Sequence, residues 1–122
     1  MRNMAFSLTT KQFLNRTKTV TRRFGWKGLR PGDRFCAVEK CQGLKKGEHV
    51  RRLGVCEVVD VGREPLDEIG WRPGDVAREG FPELTPEEFV NFFCGHMHCT
   101  PDTIVTRIRF KRVPDAQGGD KA

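Results

Sequence analysis

Lys18-Thr19-Val20-Thr21-Arg22-Arg23 sets one ammonium, two hydroxyls and two guanidinium groups around a single aliphatic residue. Extended backbone sends Lys18, Val20 and Arg22 to one face and Thr19, Thr21 and Arg23 to the other. Charge packed this densely repels itself unless an anion lies against it. The segment therefore suggests phosphate binding, or a lysine held below its ordinary pKa by its neighbours. A solvated basic strand edge is the plainer reading.

Working outward, Thr9-Thr10-Lys11-Gln12 fits a capping box, with Leu8 and Phe13 as its hydrophobic staple. A short helix from about Thr10 to Asn15 would deliver the chain into the basic segment. Downstream, Pro31-Gly32-Asp33 is a turn signal, and Phe35-Cys36-Ala37-Val38 reads as a buried strand. Gln42 to Glu48 is a polar, glycine-bracketed loop holding Lys45 and Lys46. Arg51 to Val61 reads as a long strand with Leu53, Val55, Val59 and Val61 on one face.

Pro73-Gly74-Asp75 repeats the turn signal, and Asp75 to Glu79 predicts a helical turn. Thr85-Pro86-Glu87-Glu88 is a strong helix start: a Thr cap, Pro at the first position, a capping-box Glu and a Leu84/Phe89 staple. Phe89, Phe92 and Phe93 fall at core spacing, and Gly95 is placed to end that helix. Thr103 to Val113 alternates, with Ile104, Thr106, Ile108 and Phe110 inward and Arg107, Arg109 and Lys111 outward. Residues 1–113 are read as a single domain and Pro114 to Ala122 as a disordered polar tail. The expected fold is α+β: about five strands and two firm helices, joined by connections too short for repeated βαβ units. A small, strongly bent or closed antiparallel barrel with helices at its openings satisfies that pattern.

Charge is distributed unevenly along the 122 residues. Residues 1–52 hold 14 basic and 3 acidic residues, or +11, whereas residues 53–122 hold 8 basic and 13 acidic, or −5. A basic half beside an acidic one fits a surface that faces a polyanion, or simply a solvated basic surface. No stretch approaches the roughly 18 apolar residues that span a bilayer, and the Met1–Phe6 start lacks an apolar signal run. A cytoplasmic location without membrane attachment is expected, and the five Cys are then read as reduced thiols.

Taken in order, the helix, Lys18–Arg23, Pro31-Gly32-Asp33, Glu79-Gly80-Phe81 and the Thr85-Pro86-Glu87-Glu88-Phe89 helix resemble the ASCH domain family of the PUA-like superfamily. The resemblance spans roughly residues 5–112. The family signature is Gly, any residue, Lys, four residues, then Arg. Lys18 and Arg23 match it, and Arg16 stands where the glycine belongs. The resemblance implies a PUA-like β-barrel with a cleft beside the signature, suited to RNA or nucleotide-like ligands. Compact members of this type occur in bacteria and their phages. Some small ASCH proteins are amidohydrolases that remove the acyl group from N4-acetylcytidine with a lysine, a threonine and a glutamate. Lys18 and Thr21 fall on the first two positions, and Glu79 is the third by its Glu-Gly-Phe context.

The chemistry of these residues admits two readings. A threonine hydroxyl becomes a nucleophile once a base takes its proton, and a neutral Lys18 beside Arg22 and Arg23 can be that base. Alternatively, Glu79 holds Lys18 charged in a salt bridge, and the site is a binding cleft. RNA or modified-nucleoside binding is the primary expectation, with N4-acylcytidine hydrolysis as the alternative. A basic face that meets an acidic protein is a third. For a longer nucleic-acid ligand, Lys18, Arg22, Arg23, Lys45, Lys46, Arg51 and Arg52 are the phosphate candidates. Trp26, like Trp71, is a stacking candidate or a plug for a barrel end. No cofactor is expected. Cys94-Gly95-His96-Met97-His98-Cys99 carries zinc-type ligands, but the spacing does not set four of them tetrahedrally. It is read as a helix end with a buried Cys94 and surface histidines, and Cys36, Cys41 and Cys56 as buried small hydrophobes.

Overall fold

The computed structural model describes residues 1–40 and 45–114. In chain order they form β1 (Asn3–Ala5), α1 (Thr10–Leu14), β2 (Val20–Arg23), β3 (Arg34–Val38), β4 (Arg52–Pro65), α2 (Asp75–Arg78), α3 (Pro86–Met97) and β5 (Ile104–Arg112), with a 3-10 helix over Leu66–Trp71. Cys41, the first residues of the polar loop, and the tail from residue 115 lie outside the described residues.

The five strands make one mixed sheet in the order β1-β3-β4-β5-β2. β3, β4, β5 and β2 are antiparallel neighbours, whereas β1 joins β3 in parallel, Met4 opposite Ala37. The α+β class with about five strands holds; where the sequence suggests a strongly bent or closed antiparallel barrel, the described sheet is mixed and not closed into a barrel. Among the described residues no ladder joins the edge strands β1 and β2. β1 is only three residues long, and the chain leaves it at Phe6 to enter α1. The Arg23 guanidinium lies 4.7 Å over the Phe6 ring, a side-chain contact between the two edges.

Two apolar clusters hold the sheet. The first sets Phe6 against Phe13 (5.0 Å between ring centres), Phe110 (5.8 Å) and Phe35 (6.4 Å), with Met4, Cys56 and Ile108 buried around them. The second packs Phe89 and Val90 of α3 and Val76 of α2 on Leu66, Ile69 and Val105. Each such side chain fully buried contributes about 1.5–3 kcal/mol.

Several local expectations are revised. β4 does not keep one alternation: bulges at Leu53 and Val59 shift the register on β3 and β5. Cys56 and Val58 therefore face the core while Val59 is exposed, because an extra residue reverses the facing of all that follow. On β5, Ile104 is exposed and Arg107, expected outward, is buried. Thr9 makes no capping bond. Thr10 Oγ1 instead donates to the Phe6 carbonyl at 2.8 Å, and Leu8 is exposed and not part of a staple. The box at α3 forms as read: Glu88 N donates to Thr85 Oγ1 at 3.1 Å and Thr85 N to Glu88 Oε1 at 2.9 Å. That helix runs through Gly95 to Met97, and His98 closes it in the left-handed conformation, φ 54°. No described helix is long and apolar enough to cross a membrane.

Candidate functional site

The strand expected from Lys18 begins only at Val20, because the preceding backbone is held by other elements. Lys18 N donates to the Gln12 carbonyl at 3.1 Å and Thr19 N to the Arg78 carbonyl at 2.7 Å. This fastens Lys18 between the end of α1 and the end of α2, where Glu79 follows Arg78. Gly80 makes the approach possible. Its φ is +104°, and a Cβ there would lie 2.8 Å from Gln12 Cβ. The Lys18 ammonium then donates to Glu79 Oε1 at 2.6 Å and to the Glu79 carbonyl at 2.9 Å, both partners being buried.

In the β2–β5 ladder Arg22 stands opposite Arg107. Two like charges face to face are unfavourable, and Asp75, the first residue of α2, lies between them. Its Oδ2 accepts from Arg22 Nη2 at 2.5 Å and Arg107 Nε at 3.0 Å, and its Oδ1 accepts from Arg107 Nη2 at 2.8 Å. Arg22 Nη1 donates to Glu79 Oε2 at 2.9 Å and its Nη2 to Glu64 Oε2 at 3.3 Å. Arg72 closes the network on Glu64 at 2.7 Å. Burial by itself would raise the Asp75 carboxyl. The hydrogen bonds and charges of Arg107 and Arg22 outweigh it and hold the group well below the ordinary carboxylate range.

Lys18, Thr21 and Glu79, which the sequence offers as one set, all line a single cavity of about 210 Å³. Arg22 and Arg23 line it too. Its other wall is apolar: Phe6 at the end of β1, Phe81 after α2, and Phe92, Phe93 and Met97 of α3, with the His96 ring 4.6 Å from that of Phe92. The edges β1 and β2 thus face each other across the cavity. Burial is the largest influence on Lys18 and pushes its pKa down from the ordinary 10.5. Glu79 opposes that, and Arg23 and Arg22 add to the lowering. The sequence reading placed the neighbouring arginines first, and burial takes that place. Glu79 also bonds Arg22, so its charge is shared, and burial keeps the Lys18 pKa lowered. Thr21 Oγ1 accepts from Arg23 Nε at 3.0 Å, and among the described residues it bonds neither Lys18 nor Glu79.

The other sequence candidates lie elsewhere. Arg22, expected against an external polyanion, is wholly buried among carboxylates. Trp26 packs on Phe35 beneath the Arg2 guanidinium, 3.7 Å from its ring centre, and Trp71 is 82% exposed at the end of the 3-10 helix. Neither tryptophan lines the cavity, and nor do Lys45, Lys46, Arg51 or Arg52. Cys94 and Cys99 bring their sulfurs to 3.7 Å at the end of α3. Arg16, which stands where the ASCH signature has its glycine, adopts φ 68°, the region that favours glycine. Asp75, Glu64 and Arg107 were not singled out, and neither were Phe81 and His96 as cavity walls. The Glu-Gly-Phe context pointed to Phe81, but the spacing along β5 concealed Arg107.

The crystal structure of protein EF3133 from Enterococcus faecalis V583, of family DUF984, superposes on this chain with a TM-score of 0.63. The superposition covers 100% of this chain and 84% of that one at 15% identity. At that identity the likeness shows the small α+β fold. No protein-family model and no curated protein matches the chain.

Proposed function

We propose that the cavity receives the base of a nucleoside, free or carried on RNA, and that the chain is an ASCH-like domain of PUA-like type. The carrying observation is the cavity's two-sided chemistry: aromatic Phe81, Phe92 and His96 opposite a buried floor of Lys18, Glu79 and Thr21. A planar heterocycle offers its π-face to such a wall and its ring-edge donors and acceptors to such a floor. Arg22 Nε supports the same reading. It is a buried N–H without a partner in a residue that lines the cavity, and an unmet N–H costs about 1–3 kcal/mol. The opposed sheet edges support a PUA-like cleft beside the signature.

A second reading, hydrolysis of an N4-acylated cytidine, is favoured by the lowering of Lys18. A neutral Lys18 takes the Thr21 proton as Thr21 Oγ1 attacks the acyl carbon, and Arg23 Nε stabilises the developing alkoxide. The tetrahedral intermediate breaks its C–N bond as the proton passes to the exocyclic nitrogen, releasing cytidine and leaving an ester on Thr21. Water then attacks that ester, giving the free acid and restoring the hydroxyl.

Calorimetry with cytidine and N4-acetylcytidine, and chromatographic assay of cytidine release, test both readings. If the site is catalytic, Lys18→Ala and Thr21→Ala each abolish release, because a base–nucleophile pair fails as a unit. Thr21→Ala keeps binding to within about 1 kcal/mol. The rate rises with pH, with an apparent pKa below the 10.5 of free lysine. Binding without release leaves the binding reading alone. Absence of nucleoside binding refutes both.

A further inference from the structure

We infer a second ligand site: an arginine groove that grips the phosphate chain of a single-stranded nucleic acid. The groove encloses about 870 Å³, is walled by Arg16, Arg34, Arg52 and Arg112 around Leu53 and Val55, and shares no lining residue with the cavity. Its described lining holds no carboxylate and no aromatic ring. Arg34 alone of the four pairs with an acid among the described residues, Glu57 at 3.3 Å with the arginine side chain half exposed. An exposed pair of that kind contributes at most about 1 kcal/mol and exchanges readily for a phosphate.

Arg112 is held ready for a ligand. Its guanidinium lies 4.5 Å over the Phe13 ring, and its Nη2 donates to the Leu53 carbonyl at 3.3 Å. It also rests on Gly54, where a Cβ would stand 3.0 Å from Nη2. A fork fixed on three sides loses little rotamer entropy when it grips an anion. Arg16 reaches the groove from a left-handed backbone, φ 68°, a conformation that costs a non-glycine residue.

Guanidinium forks match phosphate oxygens bidentately. Four of them in one groove suit a ligand charged at every unit and forked like a phosphate, as a phosphodiester strand is and a peptide of mixed sequence is not. Without aromatic lining, bases do not stack there, so the strand is held by its backbone irrespective of sequence. The site stands apart from the cavity, and either can fail without the other.

The test is fluorescence anisotropy of a labelled uridine 12-mer across a salt series. Each phosphate contact contributes about 0.7 to the slope of log affinity against log salt. Arg34→Gln/Arg52→Gln, both exposed, is expected to flatten that slope by about 1.4, with unchanged nucleoside calorimetry. Arg112→Lys keeps the slope but weakens binding several-fold, because an ammonium lacks the fork. A wild-type slope in the double variant, confirmed folded by circular dichroism, overturns the proposal. So does equal flattening by Lys27→Gln/Arg30→Gln outside the groove, or displacement of the 12-mer by polyglutamate at equal charge.

Discussion

Gly80 and Arg16 solve the same kind of backbone problem at opposite ends of Lys18. Gly80 lets the chain pass against Gln12 so that Glu79 reaches the ammonium. Arg16 turns the chain out of α1 with φ 68°, at a cost of about 1–2 kcal/mol for a residue with a Cβ. Part of that cost is returned in the unfolded state, where glycine is the freer residue. Arg16→Gly is therefore expected to raise stability by about 0.5–1 kcal/mol, read from urea denaturation. Unchanged or lower stability would show that the Arg16 side chain holds the folded state by contacts that outweigh its backbone strain. Charge crowded into six residues drew attention to Lys18–Arg23, and the ASCH resemblance, not the charge, supplied Thr21 and Glu79 as its companions. No motif pointed to Asp75 and Glu64 as partners of Arg22, and pairing at that sequence distance is set by the fold.

α3 is the element on which the cavity's apolar wall depends. Phe92, Phe93, His96 and Met97 belong to its second half, and its start is fixed by the Thr85–Glu88 box. Thr85→Ala removes one bond of that box and is expected to cost about 1 kcal/mol, lowering the thermal midpoint by several degrees. Nucleoside affinity at a temperature where the variant is fully folded should stay close to that of the wild type. The start was readable because a cap is a local device, complete within four residues. The end was not: Gly95 signals termination by type, yet a Cβ there would meet nothing within 4 Å, and the helix runs on to Met97. β4 misled for a related reason. Alternation is a local signal, but the bulges at Leu53 and Val59 answer to β3 and β5.

For the molecule as a whole, the basic first half and acidic second half meet indoors: Lys18 and Arg22 on Glu79, and Arg22 on Asp75 and Glu64. Part of the charge asymmetry thus joins the halves, and the exposed remainder includes the arginine groove. This ties stability to pH. The folded-state pKa of Asp75 is depressed below its ordinary 3.8, so its contribution is complete above that value and is lost as pH falls through the folded value. The thermal midpoint is expected to fall steadily below pH 4, and Asp75→Asn to cost about 3–5 kcal/mol at neutral pH by removing the buried carboxylate that Arg22 and Arg107 share. A midpoint level between pH 4 and pH 2 would refute the coupling. The sequence by itself determined the α+β class, the α3 start and the buried Phe35–Val38 strand, because caps, turns and apolar runs act over a few residues. Tertiary structure alone decided the open mixed sheet, the burial of Arg107 and the aromatic wall. Which strands become edges, and which side chains share a cavity, depends on pairings between residues far apart in the chain.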